Sequence, residues 1–141
     1  MKYKIYLPEG YVQTALPGRD EWLSALRSGL YSQGNGCLSQ IDHTNSNLAC
    51  DCCLGVLCKV QDRPKVARSG RFEFDEISEN LSHANPLYRW LKANGAFPGN
   101  VTVYAGEEVC QYLTECNDFG LTFTQIADII ETVWSNAPKN W

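Results

Sequence analysis

Polar and apolar positions alternate from Lys2 to Leu7, placing Tyr3, Ile5 and Leu7 on one side of a short strand. Pro8, Gly10, Pro17 and Gly18 interrupt the pattern and predict an irregular connection. Helical spacing begins at Asp20, a capping residue, and runs to Arg27, with Trp22, Leu23 and Leu26 as the apolar stripe and Gly29 as a left-handed stop. The glycine-rich stretch Leu30 to Gly36 reads as extended, turning into a strand near Cys37 and Leu38. Asp42 to Asn47 is a polar loop whose side chains compete with regular structure. Asp51 is then placed to cap an apolar helix over Cys52 to Val60, with Gly55 allowing a close neighbour.

In the second half, charge changes sign between Asp62 and Glu79, and Phe72, Phe74 and Ile77 outline a short strand. Asn85-Pro86 opens a helix through Leu87, Trp90 and Leu91 that Gly95 ends. Val101 to Tyr104 reads as a strand, and Gly106 to Glu115 as a helix burying Val109, Tyr112 and Leu113. Thr122 and Gln125 form a capping box for a last helix whose inner stripe is Ile126, Ile129, Ile130, Val133 and Trp134, stopped by Pro138. The sum is an α+β fold in a single compact domain over residues 1–141, with about five short helices around a small, mostly antiparallel sheet.

At 141 residues with 44% hydrophobic content, the chain can build one core without staples. No apolar run approaches the roughly 18 to 20 residues that span a bilayer, and Met1 to Pro8 has no secretory core, so a cytoplasmic location is expected. The net charge of −4 argues against a duplex-binding surface, because neutralising phosphates drives that affinity. A small anion needs only a few local cations. The seven cysteines are Cys37, Cys50, Cys52, Cys53, Cys58, Cys110 and Cys116; without an export signal they are expected as free thiols.

Cys50 and Cys53 have C-x-x-C spacing, and a helix N-terminus at Cys52 and Cys53 could stabilise a thiolate. The same helix reads more simply as packing, with cysteine serving as a small hydrophobe. A structural zinc would need a second close pair, and Cys110 and Cys116 are too widely spaced, with only His43 nearby in the loop before Cys50. The two histidines sit in no catalytic context, and neither a G-x-S-x-G elbow nor a phosphate loop occurs. Glu107-Glu108 suits a helix start. No catalytic residue, metal ligand or cofactor is expected, and the chain reads as a non-enzyme.

Two stretches suggest binding. Arg63, Lys65, Arg68 and Arg71 place four cations within nine residues, where Pro64 and Gly70 predict a flexible clamp for phosphates or carboxylates. Arg27 to Gly36 adds a guanidinium at Arg27, a stacking face at Tyr31 and an amide at Gln33, among glycines that admit a ligand to the backbone.

Three segments carry a resemblance: W-L-S-A-L-R-S-G-L-Y-S-Q-G-N-G-C-L from Trp22 to Leu38, C-C-L-G-V-L-C from Cys52 to Cys58, and N-D-F-G-L-T-F-T-Q-I-A-D-I-I-E from Asn117 to Glu131. In this order they resemble a loose group of small bacteriophage-encoded proteins that carries no established activity. The chain departs from the group in its Asn-rich loop before Cys50 and in the charged Asp62 to Glu79 segment. The resemblance implies a phage origin and no mechanism; the absent catalytic set, the basic clamp and the Arg27 to Gly36 loop lead to the expectation of an accessory phage protein in the host cytoplasm that acts by binding, sequestering an anionic nucleotide signal of host defence. The alternatives are an inhibitor docking on a host protein through Trp141 or Tyr11, and a thiol enzyme using Cys52 or Cys53. Expected partners are thus a nucleotide-like anion or a host protein, with a homo-oligomer left open, and neither duplex nucleic acid nor a membrane.

Overall fold

The computed structural model describes residues 2–34, 39–42, 48–60, 65–68, 71–74 and 101–138. In chain order the elements are β1 (Tyr3–Tyr6), β2 (Thr14–Pro17), α1 (Arg19–Arg27), β3 (Ser32–Gln33), β4 (Ser39–Asp42), β5 (Leu48–Asp51) and α2 (Cys53–Val60). They continue with β6 (Lys65–Arg68), β7 (Arg71–Phe74), β8 (Thr102–Ala105), β9 (Glu108–Cys110), α3 (Leu113–Asp118), α4 (Phe123–Val133) and β10 (Trp134–Ala137). The fold is α+β, with four helices among the described residues where about five were expected. The predicted helix after Asn85-Pro86, the strand near Cys37, and Arg63, His43 and Trp141 lie outside the described residues.

The strands form three sheets of order β1-β8-β9, β10-β2 and β3-β5-β4-β7-β6, and most ladders are antiparallel. The exceptions are β10 with β2 and β3 with β5, which run parallel. One core joins helices to sheets. Trp22, Leu23 and Leu26 of α1 meet Ile126, Ile129, Ile130 and Val133 of α4, together with Cys53, Leu54 and Leu57 of α2. Each fully buried Leu or Ile among them is worth roughly 1.5–3 kcal/mol. The Trp22 indole N–H donates to the Cys53 carbonyl at 3.0 Å, so α1 and α2 are tied by a bond as well as by contact.

The last helix starts where the capping box requires. Thr122 Oγ1 accepts from the Gln125 N–H at 3.2 Å, and Gln125 Oε1 accepts from the Thr122 N–H at 2.9 Å. Its far end is closed from a distance. Gln13 Nε2 donates to the Glu131 and Thr132 carbonyls at 3.0 and 2.8 Å, the Tyr11 hydroxyl donates to Val133 O, and Arg19 Nη1 donates to Trp134 O at 2.6 Å. These bonds satisfy carbonyls that a helix end leaves open.

Several sequence expectations are corrected. Gly106 to Glu115 is not one helix: Gly106 adopts φ +65 in a tight turn, and β9 folds back on β8 with Val103 opposite Cys110. Val109 and Tyr112 are consequently exposed, and only Leu113 of the presumed stripe is buried. The helix starts late, at Leu113, where the Glu115 carboxylate accepts from the Gln111 and Tyr112 N–H groups. Trp134 begins β10 rather than ending α4, although it is buried as expected. The stretch before Gly18 holds strand β2, and Gly18, not Asp20, occupies the N-cap of α1. Gly29, at φ +75, does follow that helix in the left-handed region. Asp51 ends a strand and does not cap α2. Within the basic stretch, Lys65–Arg68 is not irregular either, since β6 pairs antiparallel with β7.

Candidate functional site

The five-stranded sheet sorts its residues by strand alternation. Register places Ser32, Cys50, Gln40, Arg71 and Arg68 in one row across β3, β5, β4, β7 and β6. The next row, on the opposite face, is Gln33, Asp51, Ser39, Phe72 and Ala67. That second face turns toward the helices: Asp51 is buried, and the Gln33 amide donates to Asn117 Oδ1 and to the Leu121 carbonyl at 2.9 and 2.7 Å. The first face is the outer one, with Ser32 exposed and Cys50 half-buried.

Arg68 and Arg71 are direct cross-strand partners at one end of that outer row. Like charges so placed destabilise a hairpin unless something of opposite sign lies between them. In register, Glu73 lies two positions beyond Arg71 on β7, and Asp42 two positions beyond Gln40 on β4, on opposite sides of the arginine row. Lys65 falls on the other face, in register with Phe74.

Of the seven residues expected to bind one anion, Arg27, Tyr31 and Gln33 have described side chains, and each makes other contacts. Arg27 is committed elsewhere: its guanidinium pairs with Asp128 at 2.8 Å and Glu131 at 3.2 Å, locking α1 to α4. Those bonds, to Asp128 first and then Glu131, hold its proton more tightly than usual. Gln33 is the structural link described above, and Asn117 returns the bond by donating to the Gly34 carbonyl at 2.8 Å. Tyr31 packs against the core beside Lys59, whose ammonium lies 5.8 Å from the ring centroid. Tyr31 adjoins β3, and Arg68 lies on β6 at the opposite edge of the sheet. Four strand spacings, about 19 Å, separate them. A base stacked on Tyr31 with its own phosphate on Arg68 does not fit that distance.

Residues 18–134 match the family described as a domain of unknown function, DUF8296. The chain belongs to this family. No curated protein and no solved structure matches it. In this DUF8296 chain the matched span holds α1 to α4, the whole five-stranded sheet and the arginine pair, while β1 and β2 precede it.

Among the described residues of this DUF8296 chain, most cysteine thiols are interior. Cys52, Cys53, Cys110 and Cys116 are buried and free, and Cys50 is partly accessible. Burial pushes the Cys53 thiol well above its ordinary pKa, and the neighbouring Cys52 adds to the shift. Burial likewise raises Cys110 and Cys116, whose thiols hydrogen-bond each other. A nucleophile needs the opposite shift, so Cys53 is held in its inert form. Cys50 and Cys53 are also divided between the outer sheet face and the core, an arrangement unsuited to a shared zinc. Among the described residues, no group of three or more His, Cys, Asp or Glu side chains could hold a metal ion. Tyr11, expected as an exposed anchor, is half-buried with its hydroxyl bonded to Val133. No described helix is long and apolar enough to cross a membrane.

Sequence reasoning missed one buried polar centre. Asp51 is 1% exposed and pairs with Lys59 across 2.7 Å, while its other oxygen, Oδ1, has no hydrogen-bond partner among the described residues. Eight residues separate the pair, a spacing without a periodic signature; only the strand-to-helix corner at Cys52 brings them together.

Proposed function

We propose that the protein acts by binding a small anionic, nucleotide-like ligand on the outer face of the five-stranded sheet, where Arg68 and Arg71 grip its phosphate. The opposed arginines carry this reading, because an anion between them turns a repulsive cross-strand pair into two charge-assisted contacts. Gln40, Cys50 and Ser32 continue the row as uncharged polar neighbours for the rest of the ligand. In a bacteriophage, the setting that the resemblance implies, such a protein would act in the host cytoplasm by withholding a nucleotide signal of host defence. The inert environment of Cys53 supports binding over thiol chemistry.

Calorimetry against cyclic oligonucleotides, ADP-ribose derivatives and inorganic phosphate tests the proposal. Binding of one of these by the wild-type chain, lost in Arg68→Ala/Arg71→Ala with the fold intact, is the expected result. An absence of heat with every ligand in the panel, from a folded protein, overturns it.

A further inference from the structure

Cys110 closes β9 opposite Val103 of β8, and Cys116 lies within α3. Five residues separate them, yet the chain reverses between the two and brings their thiols into a hydrogen bond. The reversal is fixed locally. The Glu115 carboxylate accepts from the Gln111 and Tyr112 N–H groups at 2.6 and 3.3 Å, and the Cys116 N–H donates to the Tyr112 carbonyl at 3.2 Å. Both cysteines belong to the core, Cys110 at 1% exposure and Cys116 at 0%. Cys53 also approaches Cys116, but its thiol donates to the Leu113 carbonyl at 3.6 Å. The thiol contact therefore pairs Cys116 with Cys110.

Two thiols in contact hold two electrons that an oxidant of suitable size can take. Burial keeps out a bulky disulfide such as oxidised glutathione, whereas a peroxide of two heavy atoms needs only a small local opening. That opening is close at hand. β9 is three residues long and stands at the edge of its sheet among the described strands, and Gln111 and Tyr112, which follow it, are exposed. Burial raises the Cys110 pKa, but the hydrogen bond with Cys116 offsets part of that rise. Burial and the neighbouring Cys110 both raise Cys116. Cys110 is thus the thiol that ionises first.

We infer that Cys110 and Cys116 are a peroxide-sensitive pair that closes reversibly into a disulfide and locks β9 to α3. The Cys110 thiolate attacks one peroxide oxygen. An S–O bond forms, the O–O bond breaks, and hydroxide leaves as water with the proton that Cys110 gave up. Cys116 then attacks the Cys110 sulfur, the S–O bond breaks, and the second hydroxide leaves with the Cys116 proton. Two thiols and one peroxide give one disulfide and two waters, the peroxide taking both electrons. The lock reaches beyond the hairpin, because α3 also carries Asn117, which is bonded to Gln33 and Gly34 beside the five-stranded sheet. It forms whether or not that sheet binds an anion.

The test is peptide mapping of the full chain after exposure to hydrogen peroxide. Free thiols are then blocked with N-ethylmaleimide in denaturant, and the chain is cut with trypsin without reduction. Cleavage after Lys92 and Lys139 gives a peptide, Ala93 to Lys139, that holds Cys110 and Cys116 and no other cysteine. Untreated, it carries a maleimide on each. After peroxide it is expected to carry none and to be lighter than the dithiol by two hydrogens, with dithiothreitol restoring both labels. In Cys116→Ser, Cys110 is expected to stop at the sulfenic acid and to be trapped by dimedone, which leaves wild type unlabelled there. The linked chain should melt roughly 5 °C higher, since a closed loop restricts the unfolded state. Both labels retained at a dose that oxidises Cys50, a link from Cys116 to Cys53, sulfinic acid in place of the disulfide, or an unraised Tm overturns the inference. Mapping and melting of wild type decide the matter even where Cys116→Ser fails to fold.

Discussion

Replacing Lys59 by methionine probes a buried charge, that of Asp51, through its partner. Asp51 is almost fully enclosed, Lys59 is 17% exposed along its side chain, and their charged atoms are 2.7 Å apart. Asp51 Oδ1 has no partner among the described residues, and among them the carboxylate relies on that single contact. Removing one member of a buried pair costs about 3–5 kcal/mol, mostly as the penalty of the charge left behind. The partial exposure of Lys59 lets water reach the gap and points to the lower end, about 3 kcal/mol. For a chain of this length that lowers Tm by roughly 10 °C. Part of the loss is the cation–π contact with Tyr31, on the order of 0.5 kcal/mol.

The partners are unequal, and the asymmetry sharpens the test. Asp51→Asn strands Lys59, but that ammonium can swing to solvent, so about 1 kcal/mol is expected. Asp51→Leu/Lys59→Met removes both charges and should recover to within about 1 kcal/mol of wild type. Urea unfolding followed by tryptophan fluorescence gives these values, since Trp22 and Trp134 are buried and report on the core. Added salt should change them little, because a buried pair is weakly screened. The reasoning fails if Lys59→Met costs less than 1 kcal/mol, or if Asp51→Asn costs as much as Lys59→Met.

Other outcomes follow from single contacts. Thr122→Ala removes the acceptor of the capping box and should cost about 1 kcal/mol by urea unfolding, with the loss confined to stability. Asn117→Ala removes two hydrogen bonds, to the Gly34 carbonyl and from the Gln33 amide, which keeps its bond to Leu121, and about 1–2 kcal/mol of destabilisation is expected by thermal melting. Cys53, Cys110 and Cys116 have pKa values raised chiefly by burial, so the fold binds their protons more tightly than the unfolded chain does. Their contribution is complete below the ordinary thiol value near 8.5 and declines as pH rises above it, so the urea midpoint should fall between pH 8 and 10. A thiol-reactive dye at pH 8 should modify Cys50 well before these three in the folded chain.

The local signals that proved legible were those that depend on near neighbours. The Thr122–Gln125 box, the Trp22, Leu23 and Leu26 stripe and the glycine after α1 are each set by residues within about four positions. Val109, Tyr112 and Leu113 satisfied helical spacing equally well, yet pairing of β9 with β8 overrode it, because sheet contacts are made with residues elsewhere in the chain. The proposed anion site shows the same division. Arg63, Lys65, Arg68 and Arg71 formed one cluster by spacing, but period-two alternation puts Arg68 and Arg71 on one face and Lys65 on the other. Arg27 and Gln33 looked free because their partners, Asp128, Glu131, Asn117 and Leu121, lie over eighty residues away.

The amino-acid order alone determined the α+β class, the helices around Trp22 and Ile126 and the buried character of the Cys52–Cys53 corner, since burial preference and helical period are carried by each short segment. Only the tertiary structure decided which cations meet, which carboxylates neutralise them and which tyrosines are left facing water. Those outcomes depend on strand register and on contacts between distant segments, and no local pattern encodes either.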